Sequence, residues 1–373
     1  MLGHNSGIVA RAISKWGSLS MTLSVLPRRR WNQFRVRTLL ILAALATIPF
    51  AWVGMKLRQA QRYQQAVTWL ESTNGYGPDT DIDDNISWWE KWDDSLFGIK
   101  YCYVVLRDKE IEDISRLAGL KNLTRLWVID TPVRDLAPVS GLAKLSHLEI
   151  EGTLVRDLSP LAQMRCLKHL NIRRAVVEDL SPLSDLGSLE DVKLAETPVH
   201  DLSPLAHLSH LDSVLLVKTS VTDLSPLAGH PSITQLAISK SPVRDLAPLA
   251  DATLLTRLTL WDLDVTDLAP LAKLRNLEEL HVHEIRVADV TPLKNLSSLK
   301  RLSLVDTDVT DLSPLAGLTS LEFLDVSNNR VDDLSSLSNL KSLREIHVRD
   351  TAVTHGERES LNRVLPNCKI YVW

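Results

Sequence analysis

Residues 311–332 read DLSPLAGLTSLEFLDVSNNRVD, an apolar frame of Leu312, Leu315, Leu318, Leu321, Leu324, Val326 and Val331 interrupted by a Ser-Pro pair and an Asn. The frame recurs along the chain. Its opening aspartate reappears at Asp113, Asp135, Asp157, Asp179, Asp201, Asp223, Asp245, Asp267, Asp289 and Asp333, always at the same 22-residue spacing. Eleven copies without an insertion or deletion define one structural unit of fixed length, stacked on its neighbours.

Each copy has two halves. Leu-x-x-Leu-x-Leu/Val/Ile supplies a strand, as in Leu123, Leu126, Val128; Leu299, Leu302, Leu304; and Leu343, Ile346, Val348. The alternation turns Leu126 and Val128 inward and Trp127 outward. Extending the register adds Tyr101, Val104, Leu106 in front and Leu365, Cys368, Ile370 behind, for thirteen coils. The other half is a turn. Proline recurs at Pro138, Pro160, Pro182, Pro204, Pro226, Pro248, Pro270, Pro292 and Pro314, with Arg116 and Ser336 in the outer copies. Proline suits the first position of a short helix, where its missing N–H would lack a partner anyway. The serine before it (Ser159, Ser181, Ser203, Ser225, Ser313) is expected to cap by accepting a backbone N–H. The turn is expected to be 3₁₀ or α.

A short strand and a short helical turn in every 22-residue copy resemble the leucine-rich repeat, and DLSPLAGLTSL resembles its internalin type. The resemblance covers residues 101–373. It implies an α/β solenoid: a curved leucine-rich repeat array with a parallel β-sheet on the concave face and short 3₁₀/α turns on the convex side. A looser similarity, to membrane-anchored repeat proteins of environmental bacteria, adds one transmembrane helix in front. The family usually places Asn after the strand, whereas here Asn329 stands alone among Thr131, Thr153, Thr197, Thr219, Thr307, Thr351 and Ser241. A hydroxyl satisfies fewer backbone groups than an amide. Ala175, Leu263 and Ile285 satisfy none, so their coils are expected to rely on apolar packing or water.

The aspartate column does not read as a metal or catalytic array. Like charges about 5 Å apart repel, so each carboxylate must be satisfied locally, by backbone N–H groups of the turn it opens.

The N-terminal region has a different composition. Residues 1–70 hold ten Lys/Arg and no acid, while the remainder carries 32 basic and 46 acidic side chains, a balance of −14. That acidic balance argues against nucleic acid as a partner. Residues 38–55, TLLILAALATIPFAWVGM, are uncharged and flanked by five upstream and three downstream cations. They are expected to form a transmembrane helix, with the N-terminus cytoplasmic and the repeats extracytoplasmic. A cleaved signal at Ala44-Leu45-Ala46 and a buried helix are the rival readings. The expected organisation is a basic tail over 1–37, the membrane helix over 38–55, a juxtamembrane helix with an aromatic cap over 56–100, and the repeats over 101–373. Trp88, Trp89, Trp92 and Phe97 are expected to cover the first coil, and helix 57–71 places Tyr63, Val67 and Leu70 on one side.

Asp79, Asp81, Asp83, Asn85 and Glu90 have the spacing of a calcium loop. Asp84, however, occupies the position where the loop's turn takes glycine, and Gly75, Gly77 and Pro78 replace an entering helix. The stretch reads more simply as an acidic surface loop. Cys102, Cys166 and Cys368 fall in coils too far apart to form a disulfide framework.

Function is expected at the non-repeating outward positions. Two zones stand out. Arg173, Arg174, Lys193, Lys218 and Lys240 form a basic stripe, and Trp261, His281, His283 and Val305, with Phe323 near, form an aromatic and histidine cluster. His281 and His283 alone lack the further ligands a zinc site needs. No nucleophile–base pair or phosphate loop emerges, and no cofactor is implied. The resemblance implies a non-enzymatic, membrane-anchored module that binds a protein or peptide through its concave face. The alternative is a structural, envelope-organising element without a soluble ligand.

Overall fold

The computed structural model describes residues 36–72, 103–107 and 109–372; within the first helix, the side chains of 36–50, 52, 53 and 71 are not described. The chain separates into two units between Arg58 and Gln59, inside that helix.

The second unit is a solenoid. Thirteen strands, from β1 (Tyr103–Leu106) to β13 (Lys369–Tyr371), form one parallel sheet in sequence order. Strands alternate half-buried and buried side chains, so Leu126 and Val128 enter the core while Trp127 faces outward. Consecutive strands pair with the 22-residue offset of the repeat, as in Leu126 opposite Leu148 and Leu302 opposite Leu324. The returning segments are 3₁₀ turns, from Ser115–Gly119 to Ser335–Asn339. Proline starts nine of these turns, but the outer two, with Arg116 and Ser336 in its place, are 3₁₀ as well; the i→i+3 bonds suit so short a piece.

The aspartates behave as expected. All eleven accept the N–H of the residue two positions on, at 2.6–2.8 Å, from Asp113 to Asp333. The serines do not. Instead of accepting a backbone N–H, the hydroxyls of Ser181, Ser203 and Ser225 donate back to Asp179, Asp201 and Asp223. The carboxylate is the stronger acceptor and already sits at the turn, so the hydroxyl is drawn to it.

The last coil also departs from expectation. In place of a 3₁₀ turn it holds an α-helix, His355–Val364, capped by Thr354 Oγ1, which accepts the Glu357 N–H at 3.2 Å. The final strand then pairs two positions further along than the repeat requires, with Ile346 opposite Ile370. Cys368 is therefore not the counterpart of Ile346. It is nevertheless buried, and burial pushes its thiol pKa up to about 11. Cys166 and Cys368 are free thiols; Cys102 lies outside the described residues.

The first helix, α1 (Val36–Ser72), requires a correction. Among the described residues no helix is long and apolar enough to cross a membrane. The expected transmembrane helix over 38–55, and the single-pass topology built on it, are withdrawn. The helix does not stop at Met55 but continues through Lys56, Arg58 and Arg62 as a polar helix with one apolar stripe. Tyr63, Ala66, Trp69 and Leu70 on that stripe join the core of the repeats. The guanidinium of Arg116, in the first 3₁₀ turn, lies 5.9 Å from the Trp69 ring centroid. So residues 59–72 of α1 cover the apolar end of the solenoid. The expected cap residues Trp88, Trp89, Trp92 and Phe97 lie outside the described residues, as does the calcium-like stretch Asp79, Asp81, Asp83, Asn85, Glu90.

Candidate functional site

The outward positions of the sheet form columns of side chains brought side by side by the constant offset between strands. One column runs Trp127, Glu149, Asn171, Lys193, Leu215, Ala237, Thr259, His281, Ser303, Asp325, His347. A second holds Ser239, Trp261, His283 and Val305 in that order. A third, at the strand starts, was not anticipated from the sequence as a column. It contains His147, His169, Arg301 and Phe323.

Trp261 ends β8 (Arg257–Trp261) and is 40% exposed, and no other large apolar side chain on the sheet face among the described residues is as open. The Lys240 ammonium sits 5.0 Å from its ring centroid, a cation–π contact. His281 and His283, on β9 (Glu279–His283), stand edge to face with centroids 5.9 Å apart. His283 Nε2 lies 2.8 Å from Ser303 Oγ. Burial holds both histidines below the usual pKa, favouring the neutral ring; the neighbouring His281 adds to this at His283. Val305 lies opposite His283.

Phe323 does not belong with them. It begins β11 (Phe323–Asp325), three strands beyond Trp261, with the Arg301 guanidinium 4.3 Å from its ring centroid. The His347 ring follows at 5.3 Å and Tyr371 lies 4.7 Å beyond that. The expected single cluster is therefore two.

The basic stripe is largely neutralised. Arg174 bridges Asp130 at 3.0 Å and Glu151 at 2.7 Å, and Arg173 lies 3.8 Å from Glu151. Lys193 pairs with Asp191 at 2.9 Å, and Lys218 approaches Glu196 at 3.8 Å. Lys240 has no carboxylate partner among the described residues. Most of these pairings are cross-strand, and the sequence signal that finds them is a cation and an acid set about one repeat apart.

Other features were also missed. Tyr103 and Trp127 meet edge to face at 5.7 Å beside an open hollow of about 310 Å³ that Arg107, Ile129 and Glu149 help line. His147 and His169 stack at 4.3 Å. Among the described residues, no three His, Cys, Asp or Glu side chains converge as metal ligands.

The family model for Leucine Rich repeats (2 copies) matches residues 297–339. The structure is similar to an internalin (InlF) of Listeria monocytogenes: 25% identity, TM-score 0.60, covering 73% of this chain and 86% of that one. It is also similar to a leucine-rich repeat protein of Leptospira interrogans, with 18% identity, TM-score 0.57, and coverage of 69% of this chain and 74% of that one. Comparison with curated proteins gives no match. A parallel sheet in strict sequence order with an irregular outward face defines a solenoid repeat architecture. The chain carries leucine-rich repeats, matched by the family model over residues 297–339, and its fold is similar to that of an internalin.

Proposed function

We propose that the outward face of the sheet is a recognition surface for a protein or peptide, centred on Trp261. The observation that carries this is the exposure of an indole, in contact with Lys240, on a sheet face where no other large apolar side chain among the described residues is as open. A rigid sheet lets a partner bury that ring without first ordering the surface, and buried tryptophans dominate interface energies. His281, His283 and Val305 extend the contact area. The Arg301–Phe323–His347–Tyr371 row offers a second anchor further along.

The test is photo-crosslinking with benzoylphenylalanine placed at position 261, and separately at 254, an exposed site off the strands. A protein adduct specific to position 261 is expected in the native cells. No adduct there, or equal adducts at both positions, would favour a structural element without a ligand.

A further inference from the structure

We propose that the uncharged strip beside Trp261 takes an acidic protein segment, with a carboxylate held by Lys218 and Lys240 and an aliphatic side chain seated over Ala237. This rests on the reading of the sheet face as a recognition surface and names the class of partner.

The outward residues of β6 (Ser213–Val217) and β7 (Gln235–Ser239) carry no charge on either strand, and Ala237 is the smallest side chain in its column. Asp212, just before β6, borders the strip only at the strand-start end, where Thr234 and Gln235 donate to its carboxylate; toward Lys218 and Lys240 the strand residues carry no acid, and the methyl of Ala237 leaves a dip between Leu215 and Thr259.

The residue after each strand adopts a left-handed conformation, with φ of 50° at Lys218 and 51° at Lys240. At this position six other coils carry Asp or Glu, while these two adjacent coils carry lysine. Parallel strands are about 4.8 Å apart, so the two lysines leave the sheet side by side; their heads point apart, Lys218 toward Glu196 and Lys240 over Trp261, and a shared carboxylate requires the exposed Lys218 side chain to swing toward Lys240. Glu196 and Asp262 flank the pair in the same column. Glu196 reaches Lys218 only at 3.8 Å, from a half-buried to an exposed side chain, and Asp262 forms no ion pair with Lys240. The Lys240 ammonium instead rests against Trp261, where a carboxylate joins it without displacing an existing salt bridge.

Beyond residue 70 the chain has an acid excess of 14, so an acidic segment is repelled over most of the surface and accepted here. That contrast fixes where and in which register it lands.

The probe is a displayed library of random linear peptides, selected on the immobilised full chain at low salt. Peptides enriched in Asp or Glu next to Leu, Ile or Val are expected. A synthesised representative should lose at least about tenfold in affinity against Lys218→Gln/Lys240→Gln, and more against Lys218→Glu/Lys240→Glu. Unchanged urea midpoints establish that both variants are folded. Peptides without acid enrichment, acidic peptides indifferent to the lysine changes, or no recovered peptide each overturn the proposal. If position 261 still crosslinks a protein in those cases, the recognition face stands and only its acidic partner class falls. If position 261 captures nothing, both fall.

Discussion

The hydroxyl of Thr307 donates to Oδ1 of Asn329 at 2.7 Å, joining the residues that follow successive strands. Asn329 Oδ1 also accepts the Val309 N–H at 3.2 Å. Its Nδ2 donates to the carbonyls of Leu304, Val326 and Ser327 at 2.5, 3.1 and 3.1 Å. One buried amide thus serves two coils. The equivalent hydroxyls of Thr131 and Thr197 are buried without a hydrogen-bond partner among the described residues.

Asn329→Ala strands several buried polar groups and should lower stability by about 2–4 kcal/mol. Thr197→Val removes an orphaned hydroxyl of similar volume and should be neutral or stabilising. Urea midpoints compare the two. A costly Thr197→Val with a harmless Asn329→Ala would reverse the picture.

Asp179→Ala should cost about 1 kcal/mol, since it deletes the acceptor of both Ser181 bonds. Asp267→Ala should cost less, because Ala269 offers only its N–H. The Ser159, Ser203, Ser225 and Thr291 hydroxyls, followed by their backbone N–H groups, hold Asp157, Asp201, Asp223 and Asp289 below the ordinary pKa. At Asp113 and Asp333 the serine N–H leads. Depressed folded values mean this stabilisation is present above about pH 4 and lost as pH falls further through the folded pKa values. Thermal melts between about pH 5 and 2.5 should show that decline, shallower in a multiple Asp→Asn variant.

His230 occupies a core leucine position, the counterpart of Leu208, and is 5% exposed. Its Nε2 faces the Leu205 carbonyl at 3.2 Å, and Nδ1 accepts the Ser232 N–H at 3.4 Å, an arrangement for the neutral ring. Burial holds its pKa below the ordinary 6.5. The unfolded chain therefore takes up the proton more readily, and stability falls as pH drops below 6.5, levelling once the folded value is passed. His230→Leu should flatten that slope. The His230 Hε1 resonance should titrate below 6.5; a midpoint at or above that value would refute the assignment.

A methyl on Gly119 would lie 2.7 Å from the Arg62 carbonyl oxygen of α1. Both partners are backbone, so neither yields easily. Gly119→Ala should cost about 1–3 kcal/mol and raise protease sensitivity around residues 59–72, a sign of a loosened cap. Gly187→Ala, which meets nothing within 4 Å, is the control.

Trp261→Ala should leave the melting temperature nearly unchanged because its ring is 40% exposed, while Leu260→Ala, fully buried beside it, should cost about 2–5 kcal/mol. Equal losses would mean that Trp261 is a packing residue.

The repeats were legible because each coil solves the same local problem. A carboxylate two residues before an N–H, a proline at a helix start and alternating apolar positions act over a few residues, so Asp179 and Leu126 could be read directly. The serine role was misread because Ser181 has two possible partners, and only the placed carboxylate of Asp179 decides between them. The stripe of Arg173, Arg174 and Lys193 read as basic because its acids were left out of it: Glu151 and Asp130 stand one and two coils back in the same columns as Arg173 and Arg174, and Asp191 starts the strand that carries Lys193. Trp261 and Phe323 read as one cluster because sequence nearness stood in for distance across the sheet.

By itself the sequence determined the coil: its constant length, its strand and turn, and which side chains point out, since these follow from short-range sterics and hydrogen bonding. Tertiary structure alone decided that residues 59–72 close the first coil, that a final α-helix shifts the last pairing by two positions, and that Lys240 rests on Trp261. Those outcomes depend on packing and charge between segments far apart in sequence. No repeating local pattern encodes them.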